Sequence, residues 1–104
     1  VNNKSILLKI KQLVSLSEPS ATVILYGSVA RKESNKKSDI DVLILVDREK
    51  VSYSDEQRIK YPLYDLEFDT GKIISPLVIS RKEWETRHSI TPFYFNVKKD
   101  GVLL

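Results

Sequence analysis

Apolar residues recur at helical spacing near the start of the chain. Ile6, Ile10, Leu13 and Val14 fall on one side, and Lys4, Lys9, Lys11 and Gln12 on the other. This predicts an amphipathic helix over 3–16, capped by Asn2 or Asn3 and ended by Glu18-Pro19-Ser20. The β-branched run from Ala21 to Tyr26 predicts a buried strand. One or two helical turns are expected over 28–32, then a polar loop over 33–38. Asp39 to Val46 predicts a second strand, nearly continuous in apolar residues after Asp41 and therefore central.

Further on, Ser54 and Gln57 match a capping box, which predicts a helix to about Phe68 with Ile59, Leu63 and Leu66 inward. Pro62 is expected to kink that helix or mark a restart, and Gly71 to stop it. Lys72 to Ser80 predicts a third strand, with Pro76 favouring an edge or a bulge. A short helix over 80–87 follows. The last helix opens on Thr91-Pro92, runs to about Lys99 and is closed by Gly101. This order of elements predicts an α/β (α+β) fold, and residues 1–104 read as a single domain.

Composition narrows the class. Apolar residues make up 41% and charged residues 30%, as in a globular chain, and cysteine is absent, which excludes disulfides and thiolate metal sites. No apolar run reaches the ~20 residues of a membrane span, and no export signal is read at the N-terminus. A cytoplasmic location is the default expectation. The net charge of +3 fits an anionic ligand such as a nucleotide; without a clustered basic face it does not point to nucleic acid. The densest basic stretch is Arg31 to Lys37, a solvated loop unless it serves a phosphate site next to it.

The chemistry concentrates in Tyr26-Gly27-Ser28-Val29-Ala30-Arg31 and Ser38-Asp39-Ile40-Asp41-Val42-Leu43-Ile44. Asp39 and Asp41 alternate on a strand, so their side chains share a face, roughly 7 Å apart along the chain. Two carboxylates there repel unless a cation lies between them. Mg²⁺ suits the place, because it takes one or two carboxylates and completes its shell with water and substrate phosphates. Gly27 permits close backbone approach, and Ser28 is read as opening a short helix whose free N–H groups face an anion.

The spaced double motif, Gly27-Ser28 and then Asp39-Ile40-Asp41, resembles the nucleotidyltransferase superfamily that includes DNA polymerase beta. The fuller string, with the ending Pro92 to Gly101, resembles its small prokaryotic branch, the minimal nucleotidyltransferase (MNT) domains. The resemblance implies a small mixed β-sheet with helices packed on it and the two aspartates near its centre. It implies Mg²⁺ (or Mn²⁺) on Asp39 and Asp41, and a nucleoside triphosphate, ATP for preference, held by Gly27 and Ser28. It also implies transfer of a nucleoside monophosphate to a hydroxyl. Arg31 would contact phosphate or pair with an acid to brace the loop. Lys32 stands where the family often has Gly, and Ser38 would set Asp39 in place.

The resemblance further implies a HEPN-domain partner in a toxin–antitoxin pair, with a tyrosine of that partner as acceptor. A homodimer is left open. One departure matters. A third acid on a later strand usually completes such a site and acts as base, yet the third predicted strand has neither Asp nor Glu. Ser75 is expected near that place, with Asp65, Glu67 and Asp69 just before the strand and Glu83 and Glu85 just after it. The rival reading is therefore a nucleotide-binding or partner-binding module that acts by contact. An antibiotic-modifying enzyme would need a further domain to hold the drug. Trp84, Phe93, Tyr94 and Phe95 are read as core or partner-facing residues, His88 as a surface residue, and Tyr53, Tyr61 and Tyr64 as packing or helix-surface residues.

Overall fold

A computed structural model describes residues 3–33 and 39–104. The basic loop expected over 33–38 lies, from Ser34 onward, outside the described residues, and so does the position of Ser38.

Helix α1 (Asn3–Ser17) leads into strand β1 (Thr22–Tyr26), the short helix α2 (Gly27–Ala30) and strand β2 (Ile40–Val46). Helix α3 (Tyr53–Thr70), strand β3 (Ile74–Ser80), helices α4 (Arg81–Thr86) and α5 (Pro92–Asp100) and strand β4 (Val102–Leu103) follow. The sheet order is β3-β2-β1-β4. β2 runs parallel to β3 and antiparallel to β1, and β4 is antiparallel to β1, so the sheet is mixed. β2 is an inner strand and β3 an edge, where Pro76 costs no hydrogen bond on the open side.

Helices cover both faces of the sheet. Ile40, Val42, Ile44 and Val46 of β2 join Ile6, Ile10 and Val14 of α1 and Ile59, Leu63 and Leu66 of α3 in one core. Leu43 and Leu45 turn the other way, onto Ile79, Trp84 and Val97, with Tyr26, Phe93 and Tyr94 packed alongside. Each fully buried side chain of this size contributes about 1.5–3 kcal/mol. α1 and α3 are also tied end to end. The Arg58 guanidinium donates to the Ser17 carbonyl and, at 3.1 Å, to Glu18, which Arg48 also reaches at 3.1 Å.

Several local expectations are corrected. The α3 capping box is Ser52 with Asp55, each side chain bonded to the other's backbone N–H, and Ser54 lies within the helix. α3 continues from Tyr53 to Thr70 through Pro62 without a restart, because its buried stripe holds both halves on one core. Gly71 ends α3 in the left-handed region at φ 73°. α2 starts at Gly27, so Ser28 lies inside it and is not its cap. β4 was not foreseen. Two exposed residues have no pattern of their own, and they form a strand only because Ile24 and Leu25 present a ladder to them. Among the described residues, no helix is long and apolar enough to cross a membrane.

Candidate active site

β2 positions both aspartates. Asp39 lies just ahead of the strand, exposed, and Asp41 is its second residue, half-buried. Asp41 shares its face with Leu43 and Leu45, so its carboxylate belongs to the side of the sheet covered by α4 and α5. Antiparallel pairing sets Asp41 opposite Tyr26, the last residue of β1. The chain then turns at Gly27, whose φ of 77° is in the region glycine enters without strain. The turn lies directly on Asp41. A Cβ placed on Gly27 would overlap Asp41 Oδ2 and stand 3.3 Å from its Cγ.

Charge is uneven here. Burial raises the Asp41 pKa, the neighbouring Asp39 raises it further, and Arg31 lowers it. Arg31 follows α2, and its Nε lies 3.2 Å from Glu33 Oε2 in an exposed ion pair. Such an exposed pair is worth at most about 1 kcal/mol. Arg31 thus pairs with Glu33 just past the turn and also acts on the Asp41 carboxylate. Lys32 has φ 60°, the one described non-glycine residue in the left-handed region. That conformation is one glycine adopts without strain.

The donor set fits a hard divalent cation. Two carboxylates stand two residues apart at the start of β2, Asp39 acts repulsively on Asp41, no lysine or arginine among the described residues is hydrogen-bonded to either, and a glycine leaves room over Asp41. Ser28, half-buried in α2, is brought to the same turn.

A family model of the nucleotidyltransferase domain matches residues 4–101. The chain belongs to this family. A proposed nucleotidyltransferase from Sulfolobus solfataricus has a similar fold, with TM-score 0.63 and 21% identity over 95% of this chain and 76% of its own. A toxin–antitoxin structure determined with AMP-PNP is similar at TM-score 0.62 and 14% identity, over 98% of this chain and 72% of its own. No curated protein matches significantly.

Within this nucleotidyltransferase domain, the third-acid question has a structural answer. Ser75 is the β3 residue in register with Asp41, so a serine occupies the position beside it on the neighbouring strand. Glu67 cannot serve there, because it accepts the Ile74 N–H at 2.7 Å from a helix on the opposite face. Asp65 and Asp69 are exposed on that same helix. Glu83 and Glu85 lie in α4, beyond the far end of β2, about 17 Å along the strand from Asp41. Among the described residues, no group of three or more His, Cys, Asp or Glu is placed to hold a metal ion.

The sequence reading gave Tyr26 no role of its own. Its ring packs edge-to-face on Phe93 at 5.2 Å, and burial, then the charge of Asp41, raises the phenol pKa. Only the cross-strand register reveals this neighbour, and nothing local in the sequence announces it. Trp84 is buried, Phe93 and Tyr94 are part-buried, and Phe95, Tyr53, Tyr61 and Tyr64 are exposed, as the packing and surface readings expected. His88 is half-buried and stacks on Trp84 at 6.0 Å.

Proposed function

We propose that residues 1–104 form one nucleotidyltransferase domain that moves a nucleoside monophosphate, AMP for preference, from a triphosphate to a hydroxyl. The acceptor proposed is a tyrosine of a HEPN-type partner protein. The observation that carries this reading is Asp41 on an inner strand, with Asp39 just ahead of that strand and the Gly27 turn seated on Asp41. Asp39 and Asp41 would hold Mg²⁺ or Mn²⁺. When bound, the ion offsets charge on the attacking and leaving oxygens.

The chain's own groups do the rest. The backbone at Gly27 and the Ser28 hydroxyl bind phosphate oxygens, and Arg31 exchanges Glu33 for them. The acceptor oxygen bonds to the α-phosphorus, the bond to the β-phosphate oxygen breaks, and pyrophosphate leaves. With Ser75 beside Asp41, no third carboxylate takes the acceptor's proton, so it passes to water. AMP-PNP in the toxin–antitoxin structure supports the choice of an adenine nucleotide and of a protein partner.

Ser75 also favours a second reading, a domain that binds nucleotide and partner but transfers slowly or not at all. Label transfer from α-³²P-ATP separates the two. The assay contains Mg²⁺ and host-cell lysate, with Asp39→Asn/Asp41→Asn as control. Label on a discrete acceptor, lost in the variant, is the result expected. Metal-dependent nucleotide binding without transfer establishes the second reading, and loss of both overturns the site.

A further inference from the structure

The outer face of the α1/α3 layer carries apolar side chains and unpaired charges that the site does not use. Tyr61, Tyr64 and Phe68 lie at i, i+3 and i+7 on α3, opposite its buried stripe. Tyr61 is 56% and Phe68 90% exposed, and the acids Asp65 and Asp69 flank the phenylalanine. On α1, a groove of about 710 Å³ is lined by Leu7, Leu8 and Leu104, with Lys4 and Lys11 at its rim and Leu8 61% exposed.

The charges on these two features are the informative part. Many other surface charges are paired within the chain, Arg48 and Arg58 with Glu18, Lys60 with Glu56, Arg81 with Asp47, Lys82 with Glu49 and Lys98 with Glu85, while Lys9, Lys32, Lys50, Lys99 and Asp100 appear in none of the ion pairs among the described residues. Lys4, Lys11, Asp65 and Asp69 take part in none of the ion pairs among the described residues. α1 has no acid in its first turn and α3 no base in its last, so each helix end carries the charge its dipole disfavours. An aromatic knob with an acidic collar and an apolar groove with a basic rim thus lie on the same layer of one molecule.

We propose that this face is where a second copy of the chain docks. Phe68 of each protomer would enter the α1 groove of the other, with Asp65 and Asp69 meeting Lys4 and Lys11. A two-fold axis makes that contact twice, closing the pair. Helices of 15 and 18 residues side by side cover on the order of 500 Å² per protomer. The total, about 1,000 Å², belongs to the lower range of specific interfaces and fits a reversible dimer. The inference is independent of the proposed transfer reaction, since none of these residues lies on the Asp41 face.

Sedimentation velocity over a concentration series tests it. The wild type is expected to pass from monomer to dimer, with the transition moving to higher concentration in high salt. Phe68→Glu is expected to remain monomeric while keeping the wild-type circular dichroism. Asp65→Lys/Asp69→Lys should weaken the dimer tenfold or more, and adding Lys4→Glu/Lys11→Glu should restore it. A wild type that stays monomeric overturns the proposal. So does a dimer that survives Phe68→Glu, or a charge exchange that fails to rescue.

Discussion

Gly27 and Asp41 meet across the first two strands, and there is no room for a side chain between them: a Cβ on Gly27 would overlap a carboxylate oxygen of Asp41. The glycine also holds φ 77°, which an L-residue enters at a cost of about 1–2 kcal/mol. Gly27→Ala is therefore expected to lose roughly 2–3 kcal/mol once the displaced carboxylate is added. Urea denaturation reads the loss, and isothermal titration should show Mg²⁺-dependent nucleotide binding weakened with it. A variant of unchanged stability would show that the turn can move away from Asp41.

Asp41 works against the stability of the metal-free protein. Burial and Asp39 raise its pKa, so the folded protein holds more protons than the unfolded chain between the ordinary carboxylate value and the raised one. Its contribution is most favourable below the ordinary value and is lost as pH rises through the raised one. At neutral pH, Asp41→Asn should raise the Tm of the metal-free domain, modestly because the group is largely solvent-screened. The same change should abolish the rise in Tm expected of the wild type on adding Mg²⁺. Destabilisation by this variant would mean that the carboxylate makes a contact worth more than the repulsion.

Lys32 is strained where glycine would not be. At φ 60°, Lys32→Gly relieves about 1–2 kcal/mol of backbone strain and costs part of that in unfolded-state freedom. The expected net gain is about 0.5–1 kcal/mol in chemical denaturation. Lys32→Val should move the midpoint the opposite way, because a β-branched residue tolerates this region least.

Ser75→Asp would put a carboxylate in register with Asp41. Without metal, the added like charge beside Asp41 should lower Tm. With Mg²⁺ and acceptor, transfer should rise tenfold or more, since a positioned base contributes 10²–10⁴-fold. An unchanged rate would show that proton removal does not limit the reaction.

Much of this architecture was readable residue by residue. The apolar run after Asp41 marked an inner strand, and Pro76 marked an edge. Thr91 caps α5 from a side chain that accepts the Tyr94 N–H at 3.1 Å, as Thr91-Pro92 announced. These are local rules, acting over a few bonds, and short-range sterics and hydrogen bonding enforce them wherever the segment lies.

Other features depended on how distant segments meet. Ser52, and not Ser54, became the cap of α3, because the turn after β2 decides which residue is extended when the helix begins. The chain offers acids on both sides of β3, but Glu67 is committed to the Ile74 N–H and Glu83 and Glu85 lie beyond the other end of the sheet. That Ser75 and Tyr26 stand on either side of Asp41 follows from strand register, and Phe93 reaches the Tyr26 ring from α5. Alternation told the sequence reader which residues share a face of one strand. Only pairing between strands decided which residues of other strands join them there, because a slip of one residue would send every side chain to the opposite face.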